Sequence, residues 1–430
     1  MRLGGRLAGA IEVLEDIETR RRPVADALKD WGLSHRFAGS GDRAAIGNIV
    51  YDALRMKLSH AWCFEDDSAL TLGYAVMFRQ WGFTPEALAA ELDGDRFAPP
   101  TLPEERVAAL AARKIEDAPL HVQGDIPEWA VSSFERNFGD HWLDEAKALT
   151  ARPSLDLRAN TLKADRDKVV HALERAGAES CRLAPQGVRV AAGKLSDRLP
   201  NVTAELSFAK GWFEVQDEGS QIVAGLVMAQ EGEQILDYCA GGGGKTLALS
   251  AITHNKGQIH AYDADRKRLS PIIERLKRAG TRNVQVHDGL PALKPFIGKF
   301  DRVLIDAPCT GTGTWRRRPD TKWRLTEKNL GERVTQQREV LEAAMSYVRP
   351  GGHLAYVTCS LLPQENQEQV RSFLADHPEF EPRSSLADFT RLTGQDAIKP
   401  LDANGTGITL SPATSDTDGF YFCMMQRRPA

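Results

Sequence analysis

Five short apolar runs, separated by intervals long enough for helices, constrain the fold of this chain more than any other feature. They are QILDYC, QIHAYDA, NVQVHDG, FDRVLIDAP and GGHLAYVTC, and they begin at Gln234. Strands covered on both faces read as apolar runs, and parallel pairing needs a helical crossover between them. The rhythm therefore predicts a parallel sheet with helices on both sides, an α/β domain. The closing FYFCMMQRR is a further strand candidate. In such a sheet ligands sit at the carboxyl ends of the strands. Asp237, the run Gly241–Gly244, Asp263, Asp288 and Asp306 all fall at those exits.

The chain ahead of that sheet is built differently. Residues 1–140 read as helical; in Asp42–Arg55 an apolar stripe runs through Ile46, Ile49, Val50, Ala53 and Leu54. Gly, Pro and Asp cluster near 93–103 and punctuate the region. Residues 141–225 mix a helix around Trp142–Leu149, a strand-like LDLRANTLK after Pro153 and a helix from Asp165, the pattern of a small α+β module. Three domains follow, 1–140, 141–225 and 226–430, in keeping with a chain of 430 residues.

A net charge of −4 argues against bulk electrostatic coating of a polyanion, so any such site must be a local patch. Glu12, Glu15 and Asp16 interrupt the N-terminus before a secretory apolar core forms. No stretch reaches the roughly 18 uninterrupted apolar residues of a membrane helix. Six cysteines, at 63, 181, 239, 309, 359 and 423, contain no CxxC pair, so neither a disulfide framework nor a metal site is indicated and a reducing cytoplasm is the expected setting.

The glycine run by itself leaves several readings open. Four glycines after the first strand let a backbone approach a ligand, and an acid about 20 residues further on, Asp263, suits a ribose diol. That fits any adenosine-containing cofactor, a nicotinamide dinucleotide among them, although AGGGGK lacks the spacing GxGxxG. Gly244, Lys245 and Thr246 copy the tail of a phosphate-binding loop, but Cys239 stands where that motif requires its first glycine. A tight strand-to-helix turn without a ligand is the remaining reading.

Two thiols narrow the choice. Cys309 closes the fourth run in Asp306-Ala-Pro-Cys309, and Cys359 closes the fifth in Thr358-Cys359-Ser360, so both are expected at one crevice and partly exposed. Cys63, Cys181 and Cys423 read as small core residues, and Cys239 as a structural one. Between the two thiols, residues 315–324 carry Arg316, Arg317, Arg318, Lys322 and Arg324 against the single acid Asp320, with Trp315 and Trp323 interleaved. Arginine beside aromatic rings suits phosphate contact and base stacking.

Taken together, these motifs resemble the RsmB (Sun/Fmu-type) RNA cytosine-5 methyltransferases. The resemblance runs from about residue 35 to the C-terminus, through DAPCTGTG at 306–313, RRRPDTKW at 316–323, TCSLLPQEN at 358–366, FEVQDEGSQIVA at 213–224, LRANTLK at 157–163 and DGFYF at 418–422. It implies a class I S-adenosylmethionine-dependent, Rossmann-like methyltransferase domain behind a helical NusB-like RNA-binding domain and a small α+β RNA-contacting subdomain. It implies that the Cys359 thiol adds to carbon 6 of cytosine and so makes carbon 5 nucleophilic, that Cys309 assists breakdown of the adduct, that Asp306 hydrogen-bonds the ring, and that Lys245 completes the catalytic set. Cofactor contacts are implied at Cys239, Ala240, Gly241, Gly242, Gly243, Gly244, Lys245, Asp263, Arg268, Asp288 and Asp306, and RNA contacts at Arg316, Arg317, Arg318, Lys322 and Trp323. The implied partner is RNA, ribosomal before transfer RNA, met by a monomer without membrane or metal.

The chain departs from the family at AGGGGKT, where Gly241 and Gly242 replace the Ala and Pro of AAPGGKT. Glycine frees a backbone that proline restricts, which bears on loop order and cofactor affinity. That departure motivates the alternative of an RNA-binding ribosome-assembly factor with weak or lost turnover. A DNA-type enzyme would carry its nucleophile in Pro-Cys; TCSLLPQEN and the helical leading region weigh against it.

Overall fold

The computed structural model describes residues 1–395, 401–402, 405 and 407–430. The chain folds as two compact units, one made of Met1–Pro153 with Ala192–Leu199 and Thr314–Leu325, the other of Ser154–Ala191, Pro200–Gly313 and Thr326–Ala430.

The first unit is helical. Its helix Ser40–Arg55 buries Ile46, Ile49, Val50, Ala53 and Leu54, the apolar stripe expected from the sequence. It packs against Leu3–Arg20, which turns Leu7, Ala10, Ile11, Leu14 and Ile17 inward at the same helical spacing. Each leucine, isoleucine or valine among them contributes about 1.5–3 kcal/mol by leaving water. Helical structure continues to Trp142–Ala148, so the unit extends past residue 140 as far as Pro153. Thr314–Leu325, assigned from sequence to the sheet domain, belongs to this unit; its helix Pro319–Arg324 packs on Ser40–Arg55.

The second unit holds two sheets. Strands β1 (Leu155–Ala159), β2 (Ala178–Ser180), β3 (Gly187–Val190) and β4 (Phe213–Val215) form an antiparallel sheet in the order β2-β3-β1-β4. The predicted helix after Asp165 is Arg166–Ala172, with the Asp165 carboxylate capping Lys168 N–H at 2.8 Å.

The larger sheet contains β5 (Gln234–Asp237), β6 (Gln258–Tyr262), β7 (Val284–His287), β8 (Phe300–Asp306) and β9 (Val348–Thr358), paired in parallel as β7-β6-β5-β8-β9. These are the five apolar runs. Of the remaining strands, β10 (Phe380–Arg383), β11 (Leu401–Asp402), β12 (Ile408–Leu410) and β13 (Phe420–Arg427), the last pairs antiparallel with β9 and carries β10 and β12 along its other side. Strand order reverses beside β5: the chain moves outward to β6 and β7, then returns to β8 on its other side. A crevice opens at such a reversal, at the carboxyl ends of the strands. Among the described residues no helix is long and apolar enough to cross a membrane, and no cluster of His, Cys, Asp and Glu could hold a metal ion.

Candidate active site

The turn from β5 into the helix Gly244–Ile252 shapes one side of the crevice. Gly243 has φ +82°, and a Cβ there would lie 2.5 Å from Cγ1 of Ile272, so this position requires glycine on two counts. Gly241 also lies in the left-handed region, at φ +49°, and its N–H donates to Asp263 Oδ2 at 2.8 Å. The Gly242 carbonyl accepts from Arg275 Nη1 at 2.5 Å, while Arg275 and Arg278 both bond the buried Glu214 of β4, at 3.0 and 2.6 Å. Gly241 therefore supports a defined turn that alanine would strain, and the glycine-rich departure is anchored at both ends.

Three carboxylates converge on the strand exits. Asp237, fully buried at the end of β5, accepts from Thr246 Oγ1 at 2.7 Å, and its other oxygen, Oδ1, has no hydrogen-bond partner. Burial pushes its pKa up to about 7; the Thr246 bond opposes the shift, the charge of Asp306 adds to it, Lys245 opposes it, and Asp263 adds a little more. Asp263, at the end of β6, is 5% exposed; its Oδ1 accepts from Asp265 N–H at 2.8 Å, and Arg268 stands 3.9 Å from its Oδ2. Asp306, ending β8, pairs with the buried Lys245 ammonium at 2.7 Å. Burial works against that ammonium, but the charge and hydrogen bond of Asp306, with help from Cys359, hold its pKa above the ordinary lysine value. Lys245 Nζ also lies 5.4 Å from the centre of the Phe420 ring.

The two thiols meet as expected. Cys309 Sγ and Cys359 Sγ are 3.3 Å apart, and both residues are partly exposed. The hydrogen bond to Cys359 pushes the Cys309 thiol well up, and burial and the nearby Glu365 push it further; either sulfur can donate to the other. Cys239 is partly exposed too; burial and then Asp237, Asp263 and Asp306 hold it as a neutral thiol. Cys63, Cys181 and Cys423 are buried core residues. Asp288 follows β7 with its side chain exposed, and its carbonyl accepts from Arg266 Nε at 3.0 Å.

Sequence reasoning missed the residue that ties the two thiol loops together. The fully buried Glu365 accepts from Thr310 N–H at 2.8 Å and from the Thr310 hydroxyl, and from Gln337 Nε2 at 2.9 Å, which also donates to the Pro308 carbonyl at 2.9 Å. Burial pushes the Glu365 carboxyl up, while bonds from Ser360, Thr310 and Gln337 favour its ionised form. One carboxylate thus spans the residues that follow Cys309 and Cys359. Arg275 and Glu214 were also missed. Glu365 lies inside TCSLLPQEN, where it is the only acid of the motif that also holds Cys359.

The segment expected to offer RNA contacts is packed in large part into the helical unit. Trp315 is fully buried and stacks on Phe134, with centroids 6.1 Å apart. Arg316 is buried, and its carbonyl accepts from Arg55 Nε at 2.7 Å. Lys322 is fully buried and donates to the Arg55 carbonyl at 3.0 Å; Trp323 Nε1 donates to the Leu54 carbonyl at 2.7 Å and its ring packs on the helical core. These four side chains fasten the segment to the helical unit, three of them buried and Trp323 half-buried. Arg318 is exposed and Arg317 half-buried.

The crevice fits S-adenosylmethionine on its donor set. Asp237, Asp263 and Asp306 face a buried Lys245 and a half-exposed Arg268, a balance suited to a ligand carrying positive groups and a ribose diol, and the unpartnered Asp237 Oδ1 awaits a donor.

Residues 224–426 match the family model described as 16S rRNA methyltransferase RsmB/F, and residues 126–194 match the RsmF/B-like ferredoxin-like domain. A probable ribosomal RNA small subunit methyltransferase B from Synechocystis sp. is 33% identical over 321 residues, covering 73% of this chain and 69% of that protein. The ribosomal RNA small subunit methyltransferase B of Klebsiella pneumoniae is 34% identical over 310 residues, covering 70% of this chain and 66% of the relative. The solved structure of PH0851 shares the fold at 23% identity with a TM-score of 0.75 over 99% of both chains. NSun6 from Pyrococcus horikoshii, solved with SFG, is 22% identical with a TM-score of 0.60, over 71% of this chain and 99% of that one. The chain belongs to the RsmB/F family of S-adenosylmethionine-dependent ribosomal RNA methyltransferases.

Proposed function

We propose that this protein methylates carbon 5 of a cytosine in small-subunit ribosomal RNA, with Cys359 as the nucleophile. The observation that supports this most directly is the pair of sulfurs 3.3 Å apart beside the Lys245–Asp306 ion pair. Only a few per cent of an ordinary thiol is ionised at neutral pH, so a nucleophilic cysteine needs a cation nearby. Lys245, buried and paired with Asp306, is the cation of this crevice. The Cys359 sulfur bonds carbon 6, the carbon 5–carbon 6 double bond opens, and carbon 5 becomes the nucleophile. Asp306, oriented by Lys245, hydrogen-bonds the cytosine ring. When the carbon 5 proton later leaves to solvent, the double bond reforms and the sulfur departs with its electron pair; Cys309, 3.3 Å from that sulfur, assists by hydrogen-bonding the departing thiolate. S-adenosylmethionine, when bound, supplies the methyl group. Its ribose diol would be held by Asp263, with the Gly241–Gly244 turn and Asp237 beside it. We assign the reaction to the cytoplasm, where the neighbouring thiols stay reduced.

The test is methyl transfer from labelled S-adenosylmethionine to small-subunit ribosomal RNA, with the product mapped by bisulfite sequencing. One protected cytosine is expected, absent in RNA from cells lacking the gene. RNA binding without transfer would instead identify a binding protein that has lost turnover.

A further inference from the structure

We propose that a cationic cavity in the helical unit, built around Tyr51, Arg55, Arg152 and Arg317, binds a phosphodiester of single-stranded RNA while the Tyr51 ring takes the adjoining base. The inference rests on the proposal that RNA is the substrate, and adds a second contact site for it in a unit that holds none of the reacting groups. The cavity measures about 280 Å³, room for one phosphate and part of its nucleotide. Every residue that lines it lies in Met1–Pro153, Ala192–Leu199 or Thr314–Leu325, so the site is complete within one compact unit.

The charge arrangement carries the argument. Asp52 is buried, and its two oxygens are shared by two guanidinium groups: Arg152 bonds Oδ1 through Nε at 2.9 Å and Oδ2 through Nη2, while Arg55 Nη1 bonds Oδ1 at 2.8 Å. Over the whole group, Arg55, Arg152 and Arg317 stand against Asp52 and Asp197, a surplus of one positive charge. Burial brings the Arg55 pKa down to about 10; Asp52 opposes that and Arg152 adds to it. Arg152 is otherwise held by the carbonyls of Gly193 and Leu195, at 3.0 and 2.8 Å, which orient it without neutralising it. The acid on the wall, Asp197, accepts from Lys194 N–H at 3.1 Å. A phosphodiester supplies the one negative charge the group lacks and geometry that guanidinium forks match.

Tyr51 makes a nucleotide a better occupant than a free anion. Its half-buried ring lines the cavity, with the Arg55 guanidinium carbon 5.7 Å from its centre. A flat ring beside arginines is the arrangement that stacks an unpaired base while its phosphate is held.

The full-length protein is titrated into a labelled single-stranded RNA of about ten nucleotides, comparing wild type with Y51A and R317Q, each checked by thermal melting. Both substitutions are expected to weaken RNA binding about five- to tenfold, and R317Q to lower the slope of log affinity against log salt by about 1. R317K should retain that slope, and S-adenosylmethionine affinity should be unchanged in all three variants. Wild-type RNA affinity and salt slope in both folded variants overturn the inference, as does competition by inorganic phosphate that leaves RNA binding untouched. The two proposals fail separately. A wild type that binds RNA through this cavity without methyl transfer defeats the catalytic reading alone; one that transfers methyl while both variants bind RNA normally defeats the cavity alone.

Discussion

The Thr314–Leu325 segment and the exits of β8 and β9 look equally functional in sequence, yet they behave in opposite ways. The exits present Asp306, Cys309 and Cys359 to a crevice, with the thiols 3.3 Å apart. The segment buries Trp315, Arg316 and Lys322 within the helical unit. The difference lies in what determines each location. A residue at the carboxyl end of a parallel strand is delivered to the crevice by topology, whatever its neighbours. A loop residue goes where tertiary packing sends it, and an arginine–tryptophan run packs on a helix as readily as on a base, because both are amphipathic. Position relative to the sheet is therefore a stronger functional signal than residue type.

The largest expected effect tests the strand-exit half of that comparison. Cys359→Ala should abolish both methyl transfer and any covalent RNA adduct while leaving both ligands bound. Cys309→Ala should still form the bond to carbon 6 and then stall, retaining RNA through denaturing electrophoresis. An adduct trapped by Cys359→Ala and not by Cys309→Ala would exchange the two roles.

The other half is tested by Lys322→Met. Lys322 donates to the Arg55 carbonyl, and burial lowers its pKa to about 8 against the attraction of Asp125, itself buried beneath Leu58 and Ser59 N–H groups at 2.9 and 3.0 Å. Removing the ammonium leaves a carbonyl without its donor and a buried carboxyl without its nearby cation, at a cost of about 2–3 kcal/mol. Urea denaturation followed by tryptophan fluorescence should register that loss, with methyl transfer per folded molecule changing far less. Unchanged stability, with RNA binding lost, would restore the segment as a binding surface.

What could be read from the sequence follows the same division. All five parallel strands and β13 were legible: the central ones because strands buried on both faces must be apolar along their length, and the edge strand β7, half-buried, because its valines alternate with polar residues. The stripe Ile46, Ile49, Val50, Ala53, Leu54 was legible because helical spacing places it on one face. Strands β2 and β12 were not: at three residues each they carry no period, and only pairing with β3 and β13 defines them. Nor was the reach of the helical unit to Pro153, since contacts rather than composition set that limit. Glu365 escaped notice because its partners at Thr310 and Gln337 are 55 and 28 residues away in the chain.

Glu365 therefore offers a sharper test of whether the exits need support from their surroundings. Glu365→Gln keeps the shape but turns an amide N–H₂ toward groups that are themselves donors, a mismatch worth about 2 kcal/mol. We expect kcat to fall about thirtyfold, with KM for RNA and cofactor affinity little changed, because Glu365 acts by positioning the two sulfurs. A matched fall in cofactor affinity would mean that the substitution disturbs the crevice as a whole.

The smallest effect concerns protons in that crevice. Asp237 has its pKa pushed to about 7 by burial, with Asp306 and Asp263 adding like charge against Thr246 and Lys245. A carboxyl raised above its ordinary value favours the folded state when neutral, so this group's contribution to the free protein is complete below about pH 4 and is lost as pH rises through about 7. A cofactor bearing a sulfonium and an ammonium reverses that preference, because it favours the ionised carboxylate. Binding should then expel a proton from molecules still protonated at Asp237, and affinity should rise about tenfold between about pH 6 and pH 8 before levelling off. Calorimetry in two buffers of different ionisation enthalpy measures both the affinity and the proton released. Asp237→Asn should bind more weakly at the upper end and show little dependence on pH. A slope that survives in Asp237→Asn would assign the titrating group elsewhere among the strand exits, and a flat wild-type profile would mean that the cofactor's positive groups do not reach Asp237.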